Sequence, residues 1–137
     1  SMENLIFKYR FSSFQTNELV ILKANFMFKT NKNIKEITEK TKQNLKNKTN
    51  MQPYHLPSFG SVFKNPTDNY AGKLIEEVGL KGFSIGGAQV SNMHSNFIVN
   101  NGDATSEEIY QLITVIQQKV LQKKGIFLHP EVRMIGY

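Results

Sequence analysis

The 137-residue chain contains no cysteine and no tryptophan. Without cysteine it can form neither a disulfide nor a thiolate metal site. Arginine is almost missing: fifteen of the seventeen basic residues are lysines, and Arg10 and Arg133 are the exceptions. A chain that takes its bulk charge from lysine and keeps two arginines has a use for the planar guanidinium fork at those two points. Long apolar runs are missing too. Leu5-Ile6-Phe7 is the one apolar run near the N-terminus, far too short for a signal peptide or a membrane span. No membrane partner is expected, and with nothing arguing for export a cytoplasmic location is. Ser1-Met2 reads as an expression remnant ahead of a start methionine. Of three histidines, His94 has no second histidine or acidic partner at a ligand spacing, so no metal is expected. Gly86-Gly87 belongs to neither G-x-G-x-x-G nor G-K-[ST] and is not a phosphate-binding loop.

What is present is an ordinary globular mixture, 39% hydrophobic and 20% charged, of a length for one domain or one domain plus a piece of another. The net charge of +6 is uneven. From Lys29 to Asn50 there are seven lysines and two glutamates, a local +5. Such a run can bind nucleic acid. It holds no arginine and no aromatic to stack on bases, so a solvated helix face is the expected reading and nucleic acid is not an expected partner.

Glu18–Lys29 is predicted as a strand from Leu19-Val20-Ile21-Leu22 and the alternation of Ala24, Phe26 and Phe28 with Lys23, Asn25, Met27 and Lys29. Asn33 caps a predicted helix to about Asn47, with Ile34, Ile37, Thr41 and Leu45 as a thin apolar stripe. From Lys48 to Tyr70 no period is visible, and a segment of that length inside a compact domain implies function. At its centre Leu56–Pro66 reads as irregular, fixed by Pro57 and Pro66 and loosened by Gly60. Ser61 follows that glycine, so a ligand can approach the backbone there, with Lys64 and Asn65 close behind. A polar surface loop accounts for the same composition.

Ala71–Val78 is predicted as a short helix stopped by Gly79. Phe83–Val90 and Asn96–Val99 read as strands, with a bulge or a close backbone approach at Gly86-Gly87 and His94 in the connection. Thr105 with Glu108 forms a capping box. Ile109, Leu112, Ile113, Ile116 and Val120 make the apolar face of a helix that ends at Gly125. Ile126-Phe127-Leu128 and then Val132, Met134 and Ile135 read as extended, interrupted by His129-Pro130; Glu131 and Arg133 then share one strand face. The predicted class is α+β: a small antiparallel sheet with helices packed on one side. The uncovered strand at 18–29 predicts self-association by strand exchange.

Six stretches, taken in order, carry a resemblance. They are Ser58-Phe59-Gly60-Ser61-Val62-Phe63-Lys64-Asn65-Pro66, Ala71-Gly72-Lys73-Leu74-Ile75-Glu76, Gly79-Leu80-Lys81-Gly82, Gly86-Gly87-Ala88-Gln89-Val90-Ser91, His94-Ser95-Asn96-Phe97-Ile98-Val99-Asn100 and Pro130-Glu131-Val132-Arg133. Together they resemble the C-terminal half of UDP-N-acetylenolpyruvoylglucosamine reductase (UDP-N-acetylmuramate dehydrogenase), of the family's shorter type. The resemblance runs from about Tyr9 to Gly136.

It implies an oxidoreductase of bacterial peptidoglycan synthesis that reduces UDP-N-acetylglucosamine enolpyruvate to UDP-N-acetylmuramate with FAD and NADPH. The implied acid is Ser61, and the other two catalytic positions match Arg10 and Glu131. Asn65 matches a substrate contact, and Lys64, His94 and Arg133 are further candidates for binding substrate. The implied organisation is residues 1–30 as the tail of the FAD-binding domain, 31–128 as the substrate-binding domain and 129–137 as a segment returning to the FAD-binding domain. Most of the FAD-binding domain has no counterpart here, so the chain alone is expected to hold no FAD and to be inactive, with that domain as its partner. A nucleotide-sugar-binding module without redox activity is the alternative.

Overall fold

The computed structural model describes residues 5–16, 20–30 and 33–136. Two compact units divide the chain, residues 1–37 and residues 38–137.

In the first unit, β1 (Phe7–Lys8) and β2 (Phe11–Ser12) form an antiparallel hairpin, pairing Phe7 with Ser12 and Lys8 with Phe11. Tyr9 and Arg10 make its two-residue turn. Arg10, the second of the two, takes φ +55, a left-handed conformation uncommon for a residue with a β-carbon. A short 3-10 turn follows at Ser13–Gln15. The predicted strand at Glu18–Lys29 is not formed: residues 20–30 carry no regular structure and lie exposed, and 18–19 fall outside the described residues. A strand exists only through pairing, and none of the described residues pairs with this stretch.

The helix predicted after Asn33 forms as α1 (Ile34–Met51), four residues longer than the predicted end. Asn33 Oδ1 accepts from Glu36 N at 3.2 Å, the expected cap. No residue of α1 is buried, as its thin apolar stripe implies.

The second unit is built on a four-stranded antiparallel sheet, order β3-β6-β5-β4. Its strands are β3 (Ser58–Ser61), β4 (Ser84–Ile85), β5 (Ala88–Val90) and β6 (Phe97–Asn100). β3 corrects the reading of Leu56–Pro66 as irregular. No apolar alternation marks it, because pairing with β6 forms it: Ser58 lies opposite Val99 and Ser61 opposite Phe97. The register shifts between those pairs, and Gly60 sits in the shift at φ +85, the work of a bulge glycine. Phe83–Val90 is two strands rather than one. It folds back at Gly86-Gly87, where Ile85 pairs with Ala88. The expected close approach is there: a β-carbon on Gly87 would stand 2.5 Å from Ala104 N, and one on Gly86 would collide with the Glu108 carboxylate.

Two helices pack on this unit, α2 (Ala71–Glu77) against α3 (Ser106–Lys124), and α3 against β4 and β5. α3 starts with the predicted capping box between Thr105 and Glu108 and ends at Gly125 in the left-handed conformation, φ +68. Leu112, Ile113, Ile116 and Val120 are its buried face. They meet Leu74, Ile75, Val90, Ile98 and Leu128 in one core. The extended pattern at 126–135 yields no strand. It gives one bridge, Phe63 to Pro130, because Pro130 has no N–H to extend a ladder. The class is α+β, as predicted.

Candidate functional site

β3 delivers Ser61 to the end of the sheet, half-buried. Just past it the chain is held from both edges. On one edge Val62 N donates to Asn96 O at 2.9 Å, prolonging the pairing with β6. On the other, Lys64 N donates to His129 O at 2.9 Å and Glu131 N to Val62 O at 2.8 Å. Glu131, remote in sequence, is thereby brought beside the segment of Ser61 and Lys64, opposite Val62. Lys64 and Glu131 are both half-buried.

Ser61 lies where two clefts meet. One, of about 560 Å³, is lined by Lys48, Gln52, Tyr54, Ser58 and Gly60 among others. From sequence Lys48 opens the stretch without a period; folding puts it in α1 and on the rim of this cleft, its ammonium 5.5 Å from the centre of the Tyr54 ring. At Gly60 nothing lies within 4 Å of where a β-carbon would stand, so the backbone is open to a ligand there. The other cleft, of about 580 Å³, includes Asn65, Tyr70, Lys73, Glu76, His94 and Ser95. The Ser95 hydroxyl is buried and has no hydrogen-bond partner among the described residues.

Asn65 is exposed, yet its Oδ1 accepts from Ala71 N at 3.0 Å and so caps the start of α2. His94 lies under α2. Its Nδ1 accepts from Asn96 N at 3.2 Å, and its ring meets Phe97 edge-on at 5.0 Å between centroids. Burial holds its pKa below the ordinary 6.5, partly offset by a backbone hydrogen bond. A β-carbon on Gly72 would stand 3.2 Å from His94 Cε1, which explains the glycine on this face of α2.

Two sequence candidates lie elsewhere. Arg133 is exposed and lines a separate groove of about 320 Å³ with Phe59, Tyr110 and Ile135. Arg10 belongs to the first unit, where its guanidinium lies 5.2 Å from the centre of the Tyr9 ring. Among the described residues no three metal-ligating side chains converge, and no helix is long and apolar enough to cross a membrane. Asn96, 4% exposed, is the residue that sequence reasoning passes over. It reads there as the first position of a strand, and nothing local marks its long-range bonds.

The family of the UDP-N-acetylenolpyruvoylglucosamine reductase C-terminal domain matches residues 52–135, which include Ser61 and all of the lining of both clefts but Lys48. The chain is 67% identical over 135 residues to UDP-N-acetylenolpyruvoylglucosamine reductase of Prochlorococcus marinus subsp. pastoris, covering 98% of this chain and 46% of that relative. To the reductase of a Synechococcus species it is 48% identical over its whole length, covering 44% of that relative. It thus spans about half the length of the curated relatives it matches. The crystal structure of the reductase from Thermus caldophilus superposes with a TM-score of 0.57 at 35% identity, over 73% of this chain and 36% of that one. The chain belongs to the UDP-N-acetylenolpyruvoylglucosamine reductase family, and it carries that family's C-terminal domain.

Proposed function

We propose that this chain is the substrate-binding part of a bacterial, cytoplasmic reductase that converts UDP-N-acetylglucosamine enolpyruvate to UDP-N-acetylmuramate in peptidoglycan synthesis, using NADPH and FAD. The observation that carries the reading is the position of Ser61. It stands at the junction of two clefts, beside a glycine with open space, in a segment held from both edges. Reduction adds a hydride and a proton across the double bond of the enol ether. The proton falls to this chain: the Ser61 hydroxyl gives it to the carbon next to the carboxylate. A serine is a weak acid and serves here because its acceptor is a strongly basic, enediolate-like centre, with the Lys64 ammonium favouring the alkoxide left behind. Arg10 grips the substrate carboxylate through a charge-assisted fork, a type of bond that contributes roughly 1.5–3 kcal/mol. Glu131 orients the charged partners of the intermediate. Lys64, Asn65, His94 and Arg133 contact the sugar nucleotide.

The described residues do not fit the flavin dinucleotide. No glycine-rich phosphate loop is present, and each helix start already has a side-chain oxygen on its backbone donors: Asn33 on Glu36, Asn65 on Ala71 and Thr105 on Glu108. FAD is assigned to the N-terminal half of the reductase. Residues 1–30 and 129–137 are the segments that join the two halves.

Substrate-dependent oxidation of NADPH is the test, with this chain combined with a flavin-binding half. Turnover is expected only in the combination, and Ser61→Ala lowers it about 10²–10⁴-fold while leaving substrate binding nearly unchanged. Substrate binding without turnover in the combination assigns a nucleotide-sugar-binding module instead. A flavin absorption band in the chain alone that bleaches with NADPH overturns the division of labour.

A further inference from the structure

We infer that Asn96 is a positioning residue for Ser61, an inference that rests on the assignment of Ser61 as proton donor. Phe63 lies two residues beyond Ser61 and is 1% exposed. Its backbone N donates to Asn96 Oδ1 at 3.0 Å, and its carbonyl accepts from Asn96 Nδ2 at 2.9 Å. Both ends of the Asn96 amide are therefore spent on one peptide backbone. The reason lies in the sheet. β6 starts at Phe97, and the chain before it turns away, with Phe97 N donating to His94 O at 2.9 Å. The main chain leading into β6 reaches Val62 through Asn96 O and makes no bond to Phe63. The Asn96 side chain takes the place of the missing strand backbone, offering one donor and one acceptor at the spacing of a ladder pair.

Phe63 cannot find these partners on its other edge. There it faces Pro130, and the bonds on that side belong to Lys64 and Val62. Upstream, the register shift and the positive φ of Gly60 leave Ser61 at a bulge, where the sheet alone does not hold the chain to one register. The amide of Asn96 is the fixed point directly after that bulge. Moving it moves the segment carrying the hydroxyl, and a displacement of about 1 Å at a reacting group is enough to cost about 10²-fold in rate. Asn96 is 4% exposed and forms part of the wall of the second cleft, but both polar ends of its amide are bonded to Phe63, so its action on the reaction passes through the segment that carries Ser61.

The experiment is a double-mutant cycle in the whole reductase, this chain with its flavin-binding half. Asn96→Asp keeps the size and the acceptor but loses the donor to the Phe63 carbonyl. It is expected to lower kcat about tenfold or more with KM changed less than about twofold, and to add no further loss in a Ser61→Ala background. Native-like amide spectra of the variant chain check that it is folded. If the folded variant keeps wild-type kcat, or if its loss multiplies with that of Ser61→Ala, the positioning role is overturned. If Ser61→Ala alone turns over normally, the assignment of Ser61 has failed, a result read before the cycle is closed. Should Asn96→Asp not fold, hydrogen exchange in the wild-type chain decides. Positioning requires the Phe63 amide to exchange as slowly as the core strands, and rapid exchange overturns it.

Discussion

His94 shows how a side chain can be fixed by the fold and yet remain sensitive to solution. Its ring is lodged between Gly72 and Phe97 and accepts a backbone hydrogen bond at Nδ1. That bond needs the neutral form. Burial lowers its pKa from 6.5, so the unfolded chain takes up a proton at higher pH than the folded one. Stability from this group is therefore complete above about pH 6.5 and declines as pH falls from there toward the lower folded value. Urea midpoints are expected to drop between pH 7.5 and pH 5, and His94→Gln to flatten that part of the profile. A profile unchanged by the substitution would place the pH dependence elsewhere. In the sequence His94 is a lone histidine between strands, and nothing there reveals that it braces α2.

At the scale of elements, α3 and β3 stand at opposite ends of legibility. Everything that makes α3 is local: a capping box, an apolar stripe at 3.6 spacing and a glycine stop, all of which the structure contains as read. Thr105→Ala removes the acceptor of Glu108 N, 3.2 Å away. It is expected to destabilise the protein by about 0.5–2 kcal/mol, measured as a lower denaturation midpoint with unchanged m-value. The hydrogen bond from Thr105 N is the first cause that holds the Glu108 carboxyl below its ordinary pKa, and Gly87 N, at 3.3 Å from the same oxygen, adds to it. One carboxylate thus ties the helix start to the β4–β5 turn, and Gly86 is glycine because a side chain there would meet that carboxylate. β3 has no such local signature. Two of its four residues are exposed, and it holds a glycine at positive φ. Pairing with β6 makes it a strand, and pairing is a long-range event.

For the whole molecule, exposed charge gathers on α1 and exposed apolar surface on residues 20–28. α1 carries Lys35, Lys40, Lys42, Lys46 and Lys48 on an exposed helix, and its Lys42–Glu39 pair at 3.8 Å is solvated on both sides. Such a pair contributes little to stability. Residues 20–28 expose Val20, Leu22, Phe26, Met27 and Phe28 at 77% or more each, an apolar run of the kind that finds a partner. Purified by itself at high concentration, the chain is expected to self-associate through this run. Light scattering should give a mass above the monomer, and Leu22→Lys with Phe26→Lys should restore it. A monomer mass for the unsubstituted chain would show the run to be harmless in water.

By itself the sequence determined the parts whose causes are local: the helices from their caps and stripes, the turn glycines, the α+β class, and the kinship carried by the motifs from Ser58 to Arg133. It also put Ser61, Lys64 and Asn65 in one short segment. Tertiary structure alone decided how that segment is held. The Asn96 amide on Phe63 and the bridge to Pro130 span 33 and 67 positions, and no spacing rule reaches so far. It decided as well that 18–29 is not a strand in the residues described and that 84–90 is a hairpin. The physical reason is the same in each case. A helix closes its hydrogen bonds within four residues, whereas a strand, a bulge and a catalytic segment exist only through partners the chain must first bring near.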